Sequence, residues 1–328
     1  MNFDVHSVLQ TWSTPVALDV ALCVGILIYV RGWFRLRAVS PNLIPAWCLA
    51  AFLGGIASIW IAIGSPLEAF DDLSLSVHMI QHLLLMAIAP PLILLGAPEL
   101  PLLHGLPQTF ARRVVGPILR WGVLKSLASF LTNLAVAWLA AALTLIVWHI
   151  PPVFDLALRS NALHVFEHAT FFVVGLIFWW PVIQPWPSVA VAPRWIIPLY
   201  LFFATLPCDA LSAFLAFCDR VVYPAYLVAP RAFDISPLYD QQRAAAIMWV
   251  CVTIIYLVPA VGITLQILSP QRQHPTSHAR ENAFRGPRQP LDGSKMEVGQ
   301  AFRNPDRSTP DVRQAVAPAA SDTCAPLL

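Results

Sequence analysis

Charge is what this chain most lacks. Asp, Glu, Lys and Arg make up 12% of its 328 residues, against 58% hydrophobic ones, and the mean hydropathy is +0.66. Soluble domains carry roughly a quarter of their residues as charges, so a soluble fold is excluded. The six cysteines form no C-x-x-C pair, so neither a thioredoxin-type redox motif nor a disulfide framework is indicated. Cys23, Cys48 and Cys251 fall in apolar stretches and Cys324 near the end, while an approach of Cys208 to Cys218 stays open. No small-residue cleavage site follows the first apolar segment, and Arg31, Arg35 and Arg37 come after it rather than before. That segment is therefore expected to be a retained span and not a signal peptide.

What is abundant is apolar runs of about 20 residues, the length that crosses a bilayer core. They fall at 16–36, 44–64, 76–96, 130–150, 162–183, 194–216 and 244–268. The expected fold is all-α, a polytopic transmembrane helical bundle of about seven spans. Lys and Arg gather after the first run, between the third and fourth (Arg112, Arg113, Arg120, Lys125) and beyond the seventh, whereas the loop after the second has Glu68, Asp71 and Asp72. The positive-inside rule then predicts an N-terminus outside and a C-terminus in the cytoplasm. Residues 1–268 are expected to form the seven-helix transmembrane domain. Residues 269–328, rich in Pro, Arg, Gln, Ser and Asp without apolar period, cannot bury enough surface to offset chain entropy. A disordered cytoplasmic tail is expected there, and Pro275 between His274 and His278 argues against a helical metal site.

Five histidines lie at the ends of apolar runs. His78 with His82, and His164 with His168, share the i,i+4 spacing. Four residues turn a helix by about 40° net of a full turn and climb about 6 Å, so each pair puts both imidazoles on one face. Ionisable groups in membrane helices mark function by default. With the predicted topology, His78, His82, His149, His164 and His168 all fall at the outer ends of three different spans. Softer donors are expected near the same level: Met248 and Cys251 at i,i+3, Met86 one turn beyond His82, and Cys208 beside Asp209. Ordinary packing is the competing account for Met86, Met248 and Cys251, and capping of the last carbonyls before Pro151 is the competing account for His149. Imidazole with thioether leans toward Cu(I), with zinc the next option.

The run His78-Met-Ile-Gln-His82-Leu-Leu-Leu-Met86, with Ala89-Pro90-Pro91-Leu and Leu95-Gly96-Ala97-Pro98 after it, resembles the signature span of the CtaG family, the multi-span assembly factors of caa(3)-type cytochrome c oxidase. Further stretches are similar in the same order: Trp148-His149-Ile-Pro151 with Phe154-Asp155, His164-Val-Phe-Glu167-His168 leading to Phe178-Trp179-Trp180-Pro181, and Tyr223-Pro224-Ala-Tyr226 followed by Asp240-Gln241-Gln242 and Met248-Trp249. The resemblance implies a multi-pass protein of the bacterial plasma membrane that matures the oxidase, handling copper for it. It implies oxidase subunits or a copper chaperone as partners, membrane lipid around the bundle, and no nucleic acid. The positions matching the family's polar motifs are His78, His82, His149, His164, Glu167, His168, Asp240, Gln241 and Met248. Two departures stand out: Ala244, Ala245 and Ala246 occupy a stretch where the pattern has glycine, and Cys208 and Asp209 lie outside it.

The expectation is a cup at the outer membrane face that takes a metal on neutral imidazoles, with Glu167 or Asp240 as the carboxylate that holds an imidazole tautomer. Pro90 and Pro91 would kink the third span and free carbonyls. The expected role is metal handling rather than catalysis. Other readings remain. His164-Val-Phe-Glu167-His168 also satisfies the H-x-x-E-H pattern of zinc peptidases, so a seven-span membrane zinc hydrolase is the alternative. Haem is disfavoured, because two imidazoles one turn apart crowd a porphyrin. A scaffold that docks oxidase subunits without metal is the last.

Overall fold

Proline positions decide where the long apolar runs break. The structure, a computed structural model, describes residues 15–40, 43–184, 193–230 and 235–269; the expected tail, with His274, His278 and Cys324, lies outside them. Among the described residues there are helices and no strands. In chain order they are α1 (Val16–Val39), α2 (Ala46–Ile63), α3 (Leu75–Leu95), α4 (Glu99–Gly105), α5 (Gln108–Arg120), α6 (Gly122–Leu131), α7 (Leu134–Trp148), α8 (Pro151–Arg159), α9 (Asn161–Ile183), α10 (Ile196–Phe217), α11 (Ala225–Val228) and α12 (Pro237–Leu268). Six of them, α1, α2, α3, α9, α10 and α12, are long and apolar enough to cross a membrane. Two bent pairs, α5 with α6 at 63° and α7 with α8 at 75°, raise the number to eight if each is one span.

The expected fourth span, 130–150, is thus half of a bent unit. Pro151 and Pro152 cannot continue α7, and Ile150 before them is pushed into extended backbone, φ −68° and ψ 122°, as a residue preceding proline is. The α5–α6 pair has no counterpart among the seven expected runs, because Arg112, Arg113, Arg120 and Lys125 interrupt its apolar residues. It leaves Phe110, Ile118, Trp121, Leu127 and Phe130 exposed. The last helix starts at Pro237, a full two turns before the expected 244, since nothing between Asp240 and Ala246 breaks a helix. Ala244 and Ala245 are fully buried within it.

At one end of the bundle, α4 folds back on α1 through reciprocal close contacts. Gly32 lies against the Pro101 carbonyl and Gly105 against the Ile28 carbonyl, with no room at either for a Cβ. Tyr29 stacks on Phe52, ring centroids 3.8 Å apart, and its hydroxyl donates to the Gly96 carbonyl at 2.7 Å.

The middle of α3 carries the irregularity that shapes the site. Residues Leu84–Ile88 form a π-helical segment, and Pro90 and Pro91 follow in the next turn. Proline has no N–H for the carbonyl four residues back, which for Pro90 is that of Met86. The Trp179 indole of α9 donates to this carbonyl at 3.2 Å. Helix α9 gets that close because residue 175 is glycine: a Cβ there would sit 2.7 Å from Pro90 Cγ and 2.8 Å from the Met86 carbonyl oxygen. Gly175→Ala should therefore lose about 1–3 kcal/mol to overpacking, more than the roughly 1 kcal/mol that alanine returns through helix propensity. A lowered melting temperature in detergent is the expected reading, and an unchanged or raised one contradicts the tight α3–α9 contact.

Candidate metal centre

The i,i+4 spacing puts His78 and His82 on one face of α3, and His164 and His168 on one face of α9. Packed against each other, the two helices bring these rings together. Ring centroids lie 4.4 Å apart for His78 and His82, 4.2 Å for His164 and His168, 5.4 Å for His78 and His164, and 5.6 Å for His82 and His168. His149, the residue after α7, completes the group 6.1 Å from the His82 ring. All five are buried.

Carboxylates enter the same space. Glu167, fully buried on α9, points Oε1 to within 3.5 Å of His82 Nε2 and 3.9 Å of His78 Nε2. Asp71, from the loop between α2 and α3, has Oδ2 3.3 Å from His164 Nε2. Burial, with the neighbouring charges of Asp72 and Glu68, pushes the Asp71 carboxyl up to about 8. Three overlapping sets have ligand atoms within 4.8 Å of one another: His78, His82 and Glu167; Asp71, His78 and His164; Glu68, His164 and His168.

Most of these donors are spare. Both ring nitrogens of His78 and of His82, Nε2 of His164 and His168, and both Glu167 oxygens are buried without a hydrogen-bond partner. Leaving a buried polar atom unpaired costs about 1–3 kcal/mol. A cation offsets that cost at several atoms at once, and imidazole nitrogens with carboxylate oxygens make a donor set that zinc and copper both accept. The residues present therefore fit a metal.

Neighbouring side chains hold the cluster in place. The Tyr223 hydroxyl donates to the His149 carbonyl at 3.2 Å and the Tyr226 hydroxyl to the Asp71 carbonyl at 3.0 Å, so the Tyr-Pro-Ala-Tyr segment buttresses two of its corners. Gln81, between the two α3 histidines, donates to Glu68 Oε2 at 2.9 Å and to the Ala62 carbonyl at 2.8 Å. Glu68, Asp71 and Gln81 were not singled out by spacing, because their role depends on a loop folding over α3. His149 does cap its helix, Nδ1 lying 2.7 Å from the Leu145 carbonyl oxygen, and this leaves Nε2 available.

Other predicted members lie elsewhere. Met86, Met248 and Cys208 line a cavity of about 50 Å³ that adjoins the cluster through His82 and His149. Cys251 is only half-buried and is absent from that wall, where Val252 stands instead. Asp209 belongs to neither group, and its Oδ1 is buried without a hydrogen bond. Asp240 does not serve an imidazole. Its carboxylate accepts from the hydroxyls of Ser74 (3.1 Å) and Ser76 (2.6 Å) and from Arg243 (3.2 Å), at the start of α3. A carboxylate is favoured at a helix N-terminus, where unpaired N–H groups carry partial positive charge. Gln241 donates to the Leu215 and Arg220 carbonyls, both at 3.2 Å, and accepts from the Val222 N–H at 2.8 Å, tying the loop after α10 to α12. The Asp-Gln element is therefore a clamp between helices.

The family model described as cytochrome c oxidase caa3 assembly factor (Caa3_CtaG) matches residues 27–269, a stretch that contains every residue of the cluster. The chain belongs to this family. Three relatives from mycobacteria are also similar to it, each an uncharacterised protein. Those of Mycobacterium bovis and Mycobacterium tuberculosis are each 28% identical over 271 residues, covering 80% of this chain and 40% of the relative. That of Mycobacterium leprae is 26% identical over 254 residues, covering 76% of this chain and 38% of the relative. The chain thus spans about two fifths of the length of these relatives. No solved structure matches it. As a caa3 assembly-factor family member with six to eight apolar helices of spanning length, it is a multi-pass membrane protein.

Proposed function

We propose that this protein matures cytochrome c oxidase in the bacterial plasma membrane by taking up copper at the histidine–carboxylate cluster, on the extracytoplasmic side, and passing it to an oxidase subunit or a copper chaperone. The observation that carries this reading is the overlap of the three donor sets. His78 belongs to two of them and His164 to two, and one imidazole nitrogen holds one ion at a time. Neighbouring sets thus share a ligand, and a metal would move from one to the next by exchanging one ligand for another without leaving the protein. Exchangeable ligands suit delivery better than a closed cage. Burial raises the Asp71 carboxyl to about 8, and a cation beside it would favour its ionised form.

One arrangement favours a second reading. His164, His168 and Glu68 form a two-histidine, one-carboxylate set, a ligand combination of catalytic zinc, with Glu167 next to His168 as the base of an H-x-x-E-H hydrolase. Complementation separates the two. In cells lacking the protein, copper in the purified oxidase should be low, and the wild-type chain should restore it. A His78→Ala variant should not, since His78 serves two of the three donor sets, although it lies outside the proposed zinc set. Full restoration by His78→Ala, with failure of Glu167→Gln that retains its metal, contradicts delivery and supports hydrolysis.

A further inference from the structure

The cavity next to the cluster has a different chemistry. It is bordered by α3, α7, α9, α10 and α12, its volume is about 50 Å³, and Met79, Met86 and Met248 line it together with His82, His149 and Cys208. That is room for one ion or a few small molecules, since a water requires only about 10–15 Å³ of such space. The rest of the wall is hydrocarbon and aromatic, including Ala141, Phe171 and Phe178. No carboxylate lines it. A hard, hydrated divalent cation finds no oxygen anion there.

One contact at its edge is unsatisfied as it stands. In the neutral His149 ring, Nδ1 carries the proton, because it lies 2.7 Å from the Leu145 carbonyl oxygen, a pure acceptor. Nε2 then presents a lone pair, and it faces Met79 Sδ at 3.3 Å. A thioether sulfur is also an acceptor. Two lone pairs meet with no hydrogen between them. With metal–nitrogen and metal–sulfur bonds of about 2.0 and 2.3 Å, one ion bound to both atoms at their present 3.3 Å separation would subtend about 100°, close to tetrahedral. Thioether and imidazole together select Cu(I).

We infer that His149 and Met79, with Met86 and Met248 on the facing walls, form a second and separate metal site, specific for a soft monovalent cation, Cu(I) or its probe Ag(I). His82 lines this cavity and also belongs to the set with His78 and Glu167. Among the described residues it is the side chain common to the cavity wall and the donor sets, and so is positioned to pass an ion between the two. The π segment Leu84–Ile88, with its freed Met86 carbonyl taken by Trp179, holds α3 in the shape that sets Met86 on the cavity wall. The soft site stands on its own donors; only the direction of transfer rests on the proposed function.

The test uses the full chain purified in detergent, titrated with Ag(I) and with Zn(II). Wild type should bind both. Met79→Leu with Met248→Leu should weaken Ag(I) at least tenfold and leave Zn(II) unchanged, while His78→Ala with His168→Ala should do the reverse. Ag(I) affinity unchanged in the leucine variant overturns the soft site, whatever the histidine variant does. Zn(II) lost from the histidine variant alone tests the neighbouring cluster. As a measurement that needs no variant, selenomethionine-labelled wild type loaded with Cu(I) should show a copper scatterer at bonding distance from selenium by X-ray absorption. Its absence also overturns the proposal.

Discussion

Purified protein carrying His78→Ala and His168→Ala should bind Zn(II) at the cluster about 100-fold more weakly than wild type, or worse. Loss of a residue that merely orients a ligand typically costs 10–100-fold, and these two are themselves donors in all three sets, His78 in two and His168 in the third. Both rings are buried with nitrogens that make no hydrogen bond, so truncation removes orphan polar atoms rather than breaking bonds within the apo fold. The cavities left by two buried rings cost about 2–5 kcal/mol each, and relief of the orphan polar atoms returns about 1–3 kcal/mol apiece, so the metal-free variant should melt within a few degrees of wild type. Calorimetric titration with parallel thermal melts checks both halves. Unchanged metal affinity rules out the cluster as the binding site, and a large loss of apo stability would mean that the histidines serve the fold instead.

Asp240→Ala should behave in the opposite way. It strips the acceptor from Ser74, Ser76 and Arg243 together, at the point where α12 meets the first turn of α3. Leaving the buried Ser74 hydroxyl without its acceptor and loosening Ser76 costs about 1–3 kcal/mol, while Arg243, its side chain 39% exposed, turns to water at little cost. Melting in detergent should fall accordingly, while the fraction that remains folded keeps its metal affinity. A variant with normal melting and selectively weakened metal binding would return Asp240 to the role of a group that supports an imidazole.

Much of this protein was legible from residue order. The dearth of charge and the repeated apolar runs indicated a helical membrane protein, and the motif order from His78 to Trp249 indicated the assembly-factor family to which the chain belongs. Spacing alone aligned His78 with His82 and His164 with His168, because an α-helix repeats on a rigid period. Asp240 illustrates the limit. It occupies a family motif near the expected outer level, yet its side chain is taken by two serines more than 160 residues earlier in the chain. Met79 is the converse: it lies between two histidines with no donor spacing to mark it, and its approach to His149 joins α3 to the residue that ends α7.

Local periodicity therefore determined which donors share a helix face, the helical class and the apolar lengths, since each depends on neighbours within a few residues. Which faces meet was decided by tertiary packing: glycine at 175 admitting α9 against the π segment of α3, and the loop with Glu68 and Asp71 closing over the rings. Helix–helix contact depends on side-chain shape summed over partners far apart in the chain, and no single stretch of residues encodes it.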